Sequence, residues 1–274
     1  CGDPEQVATT LSKSTIPRLV TMIGSTNTGK RVIADSTTSI KKLSMELGGN
    51  APFIVFDDAD FEAALDLAIG IKFGNSGQIC VAANRFFIHK NIFDSFLKAY
   101  VERVNKIKLG FGKNEKVDMG PLINFQARKR IMNLVKDAVN NGAHIETGGN
   151  IPEKFKKGYW LEPTVLSNVN SKMKIYKEEI FGPVACIMSF DHENEVLTLA
   201  NDTKYGLASY LFTKDKDRIE YFSKNLDFGE VQVNGIKYAI YLPHGGVKDS
   251  GLGHDCSHYA LEDYLSKKRV SIAI

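Results

Sequence analysis

Strand-length apolar runs alternate with amphipathic helical stretches along most of this chain, and that alternation limits the possible folds more than any other feature of the sequence. Pro4 to Leu11 mixes polar and apolar residues, Leu19 to Ile23 is an apolar strand-sized run, and a glycine-bounded turn follows. A short helix is predicted around Arg31 to Asp35, and a strand around Lys42 to Leu47 that Gly48 and Gly49 stop. A second strand, Phe53 to Phe56, comes almost at once. Asp60 is placed to cap a helix whose Phe61, Ala64, Leu65 and Ala68 recur at spacings of three and four, ending near Gly74. Strand-like Phe86 to His89, helical Ile92 to Ile107, helical Ala127 to Val139, and strand-like His144 to Thr147 and Val184 to Phe190 continue the pattern. This order predicts an α/β fold with a largely parallel sheet. Lys268 to Ile274 alternates Val270, Ile272 and Ile274 with smaller or polar residues, the mark of a strand with one apolar face and a need for a neighbour.

Size and charge narrow the function classes. The 274 residues hold one or two domains at roughly 150 residues each, with 43% hydrophobic and 24% charged residues as in globular proteins. The 35 basic and 32 acidic residues are interspersed, which argues against nucleic acid as a partner. No apolar run approaches the roughly 18 residues of a membrane span. Cys1, Cys80, Cys186 and Cys256 are far apart and form no CxxC pair, so reduced thiols and a cytoplasmic location are expected. The sequence opens on Cys1 with no signal-peptide pattern. Gly112 to Val117 and Ile151 to Gly158 read as polar loops, and no internal repeat is visible.

Several residues could carry chemistry. Cys80 stands in Gly74-Asn75-Ser76-Gly77-Gln78-Ile79-Cys80, a small, polar, glycine-broken stretch after a helix, where nucleophiles are commonly displayed. A buried structural thiol is the alternative for Cys80, and it suits Cys186, within its apolar strand, better. Glu46 ends a strand, where open α/β sheets place ligand crevices, and could act as a base or be a surface acid. Gly24-Ser25-Thr26-Asn27-Thr28-Gly29 joins strand to helix, so its N–H groups could face a phosphate, although it matches neither GxGxxG nor GxxxxGK[ST]. His254, Cys256 and His258 have metal-like spacing but no accompanying ligand pair, so no metal is expected. The GxSxG elbow of a serine hydrolase is missing.

Taken in order, the motifs resemble the aldehyde dehydrogenase superfamily, most closely its succinate-semialdehyde dehydrogenase branch. They are Ile23-Gly24-Ser25-Thr26 to Gly29, Glu46-Leu47-Gly48-Gly49-Asn50-Ala51-Pro52, and Gly77-Gln78-Ile79-Cys80-Val81 to Asn84-Arg85. Downstream come Leu161-Glu162-Pro163-Thr164-Val165, Glu178-Glu179-Ile180-Phe181-Gly182-Pro183-Val184, Ala200-Asn201-Asp202, Gly206-Leu207-Ala208, and Gly245-Gly246-Val247-Lys248 through Ser250-Gly251-Leu252-Gly253. The resemblance spans essentially the whole chain, and it is identified as the C-terminal portion of the family pattern with the N-terminal part absent. The implied architecture is α/β and aldehyde dehydrogenase-like: an incomplete Rossmann-like cofactor domain over 1–49, a catalytic domain over 50–260 whose last part returns toward the cofactor domain, and a C-terminal oligomerisation strand within 261–274.

The resemblance also implies roles. Cys80 attacks the aldehyde carbonyl to give a thiohemiacetal, NAD or NADP takes the hydride, and a thioester remains on Cys80. Glu46 activates the water that hydrolyses it. Gly24 and Ser25 approach the pyrophosphate, Glu179 binds the nicotinamide ribose and Phe181 packs near the nicotinamide. The Cys80 N–H supplies one oxyanion donor. Succinate semialdehyde or a related small aldehyde is the implied substrate, and a homo-oligomer, dimer or tetramer, the implied assembly.

Three positions depart from the branch. The branch's arginine six residues before the nucleophile is Gly74 here, Tyr238 stands about where the branch has a carboxylate-binding serine, and the family's Pro-Phe-Gly-Gly is Pro243-His244-Gly245-Gly246. Tyr238 and His244 are therefore the candidate substrate residues. With the family's asparagine donor and adenosine-ribose ligands assigned to the absent part, the chain is expected to be inactive alone. A non-catalytic remnant that binds itself or a relative, and a cofactor-free thiol esterase using Cys80 and Glu46, are the alternatives. A CoA-acylating enzyme fits less well, because that branch generally lacks the acid that Glu46 preserves.

Overall fold

The computed structural model describes residues 2–113 and 116–274, so Cys1 and two residues of the Gly112 to Val117 loop lie outside it. Along the chain run α1 (Pro4–Lys13), β1 (Leu19–Ile23), α2 (Thr26–Asp35), β2 (Lys42–Glu46), β3 (Ala51–Val55), α3 (Phe61–Phe73), β4 (Ala83–His89), α4 (Phe93–Val104) and α5 (Phe125–Asn140). There follow β5 (His144–Thr147), β6 (Thr164–Ser167), α6 (Lys174–Lys177), β7 (Val184–Phe190), α7 (Glu193–Asn201), β8 (Ala208–Phe212), α8 (Lys216–Asn225), β9 (Glu230–Val233), β10 (Gly251–Leu252) and α9 (Ser257–Tyr264). Side-chain caps set several starts: Asp60 accepts from the Ala63 N–H at 3.1 Å and Asn124 from the Ala127 N–H at 2.8 Å. No helix among the described residues is long and apolar enough to cross a membrane.

The chain divides into two compact units, Gly49–Lys237 and Cys1–Gly48 with Tyr238–Ile274. The first holds a seven-stranded sheet ordered β5-β6-β7-β4-β3-β8-β9, parallel except where β5 meets β6. A parallel sheet is covered on both faces, and β3, β6 and β8 are buried at every position. Phe53, Val55, Phe86, Ile88 and Tyr210 point to the side of α3 and α4, while Ile54, Phe87, Cys186 and Leu211 point to the side of α5, α7 and α8. Each buried phenylalanine contributes roughly 1.5–3 kcal/mol. The result is a stiff platform beneath the loop of residues 74–82, which α3 feeds and β4 receives.

The second unit is smaller. β1 and β2 pair in parallel, with Ile23 opposite Glu46, and β10 pairs antiparallel with the other edge of β2. Its core is little more than Val32, Met45 and Leu47. Here the expected incomplete Rossmann-like domain needs correction, because β2 is paired on both edges. The segment that fills the β2 edge comes from some 200 residues downstream, a pairing that local sequence does not reveal. It is fastened by the Leu47 N–H to Ser250 O at 2.9 Å, Ser250 Oγ to Gly48 O at 2.6 Å, and Thr26 Oγ1 to Asp249 O at 3.0 Å. Gly251 permits the approach, since a Cβ there would lie 2.4 Å from Met45 O.

The expected C-terminal strand is also corrected. After α9 no regular secondary structure follows, and Val270, Ile272 and Ile274 are exposed. Their alternation suits a half-buried strand, but no described strand of this chain lies beside them, and a strand forms only against a partner.

Candidate functional site

Cys80 is half-buried on a loop whose backbone is unusual. Asn75, Ser76 and Gly77 adopt left-handed conformations in succession, with φ of 49°, 59° and 69°. For the two non-glycine residues this costs of order 1–3 kcal/mol each, so the surroundings must over-determine it. They do. Ser76 Oγ donates to Gly120 O at 2.9 Å, Asn75 Nδ2 to Gln78 O at 3.1 Å, and Gln78 Oε1 accepts from the Ile123 N–H at 2.9 Å. A Cβ on Gly77 would lie 2.2 Å from Gly182 O and 2.9 Å from Lys72 O, so only glycine lets the loop seat here. The Ala82 N–H closes the following turn on Ile79 O at 3.0 Å, and Tyr210 Oη donates to Val81 O at 2.8 Å.

Gly49 packs against the carbonyl of Cys80, where a Cβ would come within 2.3 Å. Its N–H donates to Glu179 Oε1 at 3.1 Å. Burial pushes the Glu179 carboxyl above the usual glutamate range, against the Gly49 N–H and the charges of Arg130 and Lys72. Arg130 donates to Glu179 O at 2.9 Å and Ile180 O at 2.6 Å, holding the segment that leads to Phe181, itself left-handed at φ 46° with a partly exposed ring.

Lys72, fully buried, was not a candidate in the sequence. Its Nζ donates to Asn84 Oδ1 at 2.8 Å, joining the last turn of α3 to β4 and so tying the two stems of the Cys80 loop. Burial pushes its ammonium down to about 7, opposed by Cys186 and Glu179. Arg85 is equally buried and donates to Asn50 O, Leu199 O and Ala200 O, anchoring the chain just past Gly49. Asn84-Arg85 stands in a motif, but nothing in composition marks a charge as buried. Gly74 borders a pocket of about 370 Å³ with Arg103 and Lys106 in its wall, and Arg103 is already paired with Glu62 and Asp66.

In the other unit Glu46 is buried at the end of β2, and His244 Nε2 stands 3.6 Å from its Oε2. Tyr238 is exposed. Ser25, with extended backbone (φ −73°, ψ 149°), caps α2 by accepting the Thr28 N–H at 3.2 Å. A groove of about 220 Å³ between α1 and α2, bordered by Pro4, Ala8, Thr28 and Val32, was not foreseen. Glu46 and Cys80 belong to different units, as do Ser25 and Glu179. Among the described residues no His, Cys, Asp and Glu cluster could hold a metal ion; the His258 ring lies 4.0 Å from that of Tyr259.

Comparison with known proteins matches residues 1–270 to the model of the aldehyde dehydrogenase family. The chain is 43% identical over 273 residues to the Schizosaccharomyces pombe protein "Succinate-semialdehyde dehydrogenase [NADP(+)] 1", covering 99% of this chain and 55% of that protein. It is 41% identical over 272 residues to a Pseudomonas putida "3-sulfolactaldehyde dehydrogenase", covering 99% and 56%. A crystal structure of betaine aldehyde dehydrogenase from Staphylococcus aureus in complex with NAD+ superposes with a TM-score of 0.94 at 37% identity, covering 97% of this chain and 53% of that one. The chain thus spans about half the length of the curated relatives it matches. Against the expectation of a C-terminal portion with an incomplete cofactor domain, the family pattern and the α/β fold run through essentially all of this chain. With the Cys80 loop, the Glu46 strand and the Gly24 turn all lying inside the match, the chain belongs to the aldehyde dehydrogenase family.

Proposed function

We propose that this chain carries out the NAD(P)-dependent oxidation of a small aldehyde to its carboxylic acid, with Cys80 as nucleophile and Glu46 as general base. The observation that carries this is the display of Cys80. A half-buried thiol sits on a loop held in a costly left-handed conformation by interlocking hydrogen bonds, an arrangement that a merely structural cysteine does not need. Family membership supports the assignment.

The cofactor, when bound, supplies the hydride acceptor. Residues suited to hold it are present: Gly24 and Ser25 at the N-terminus of the ten-residue helix α2 for the pyrophosphate, and the groove between α1 and α2 for its nucleoside end. Glu179, half-buried and within reach of the Gly49 N–H, suits ribose hydroxyls, and the partly exposed Phe181 ring suits a flat heterocycle. Cys80 Sγ bonds to the aldehyde carbon and afterwards holds the acyl group as a thioester, with the Cys80 N–H as a donor to the oxyanion. Glu46 takes a proton from the water that adds to the acyl carbon, and the C–S bond breaks with its electron pair on Sγ.

Succinate semialdehyde or a related small aldehyde is the proposed substrate, in line with the names of the relatives. Gly74, Tyr238 and His244 distinguish this chain from a plain succinate-semialdehyde pattern, and Tyr238 and His244 are the proposed substrate-facing residues. The proposed assembly is a homo-oligomer, dimer or tetramer, to be read by sedimentation. The deciding assay follows reduction of NAD+ and NADP+ with succinate semialdehyde and with uncharged aldehydes. Turnover that falls on the order of 10³-fold or more in Cys80→Ala supports the assignment. Unchanged turnover in that variant, or none in the parent, ends it, and ester hydrolysis without cofactor would point to the thiol esterase chemistry instead.

A further inference from the structure

Within its own unit the buried Glu46 carboxylate faces a histidine where the family's Pro-Phe-Gly-Gly pattern has phenylalanine: His244 Nε2 lies 3.6 Å from Glu46 Oε2. His244 is well fixed. Its N–H donates to Asp255 O at 2.8 Å and its carbonyl accepts the Asp255 N–H at 2.6 Å, an isolated antiparallel bridge. Neither β1 nor β10 has an ionisable side chain. Lys30 of α2 is engaged by Asp249 at 2.7 Å. His254 packs beside Gly245, with its N–H on Asp263 Oδ2 at 3.2 Å, and Lys248 lies four residues beyond His244. At 3.6 Å the His244–Glu46 contact is an ion-pair distance rather than a hydrogen bond. An imidazolium there favours the ionised carboxylate and the carboxylate favours the imidazolium.

We propose that His244 is a positioning residue for the general base, its imidazolium pairing with Glu46 and holding that carboxylate ionised and oriented toward water. The proposal rests on Glu46 acting as base. A base must be unprotonated before water arrives, and burial of a carboxyl works against that. His244 opposes this effect and so extends the working range of Glu46 toward acid pH. In the step itself the water oxygen bonds to the acyl carbon, its proton passes to Glu46, and the C–S bond breaks with its electrons on Cys80 Sγ. The proton then leaves Glu46 for solvent and the ion pair re-forms. His244 changes neither bond order nor oxidation state.

The test uses the full chain labelled with glutamate carrying 13C at the side-chain carboxyl, the Glu46 signal being assigned by Glu46→Gln. In His244→Phe, which introduces the phenylalanine of the family's pattern at similar size, Glu46 should titrate higher than in the parent by roughly 0.5 to 2 pH units. The acid limb of aldehyde turnover should move the same way, so that the variant loses several-fold more activity between pH 8 and pH 6 than the parent does. A purely structural role would lower turnover equally at all pH. If His244→Phe does not fold, the reciprocal measurement serves: the His244 imidazole should titrate lower in Glu46→Gln than in the parent. Identical Glu46 titration in parent and variant, or identical His244 titration with and without Glu46, overturns the proposal. Shifted titrations in a chain that turns over no aldehyde would keep the pairing and remove the dehydrogenase assignment, so the two failures are distinguishable.

Discussion

The loop that displays Cys80 and the turn at Gly24 both pass the chain between a helix and a strand, yet they hold their shapes by opposite means. Asn75, Ser76 and Gly77 are left-handed in succession and clamped by side-chain hydrogen bonds and backbone contacts from three other segments. Ser25 has an ordinary extended backbone, its one cap to Thr28 suffices, and a Cβ on Gly24 would meet only the Met22 Cε, at 3.1 Å. The proposed role of Cys80 as a nucleophile demands placement to within a fraction of an ångström, and rigid over-determination provides that. A turn whose N–H groups meet a phosphate needs openness, and the N-terminus of a helix already supplies the field.

The sharpest way to break the first arrangement is Gly77→Ala. A left-handed alanine costs about 1–2 kcal/mol, and driving its Cβ against Gly182 O, a backbone atom that cannot swing aside, adds about 1–3 kcal/mol. A combined loss of roughly 2–5 kcal/mol in denaturant melts is expected, together with altered iodoacetamide labelling of Cys80 followed by mass spectrometry. A change below about 0.5 kcal/mol would mean that the loop is not held as described.

Lys72 gives a second test of the clamp, this time through pH. Burial puts its folded-state value at about 7 against an ordinary 10.5, so between those values the unfolded chain binds more protons than the folded one. Stability should therefore rise with pH across that window, by at most about 1.4 kcal/mol per pH unit from this group. Lys72→Met lacks the rise, so the advantage of the parent over the variant should widen from pH 7 to pH 10. At every pH the variant also leaves Asn84 Oδ1 without the donor it has now, at a cost of about 1–3 kcal/mol. Parallel stability curves would place Lys72 in water rather than under the loop.

These two regions also differ in how far they could be read from sequence. Asp60 as a cap, α3 up to Phe73 and a strand near Phe86 follow from spacing, because local chemistry alone fixes them. Cys80 is recognisable by its small, polar surroundings and by the motif order. The left-handed turn is not, since Asn75 and Ser76 are not glycine and their conformation is imposed by Gly120, Ile123 and Gly182, distant in sequence. Lys72 illustrates the same limit: at its position in α3 a lysine reads as a solvated face, and only the sheet packed on it shows otherwise. The C-terminal residues fail in the other direction. Val270, Ile272 and Ile274 carry a strand's periodicity, but periodicity names a face and not its neighbour. β10 is two residues long and has no periodicity at all, yet it fills the β2 edge, a pairing that local spacing cannot supply.

The turn at Gly24 should answer substitution with small effects, and their pattern is what sharpens the comparison. Ser25→Ala removes the acceptor for the Thr28 N–H and should cost about 1 kcal/mol, the usual value of a helix N-cap. Gly24→Ala should stay within about 0.5 kcal/mol, because its backbone is not left-handed and its one close neighbour is the end of a flexible methionine side chain. If the turn serves a pyrophosphate, however, the same methyl stands where a phosphate must come close to the backbone. Gly24→Ala should then weaken NADPH binding, followed by nicotinamide fluorescence, by several-fold at unchanged thermal stability. Loss of affinity without loss of stability is the signature of a surface kept bare for a ligand. Equal losses in both would make Gly24 a packing residue like Gly77, and the contrast between the two regions would collapse into one of degree.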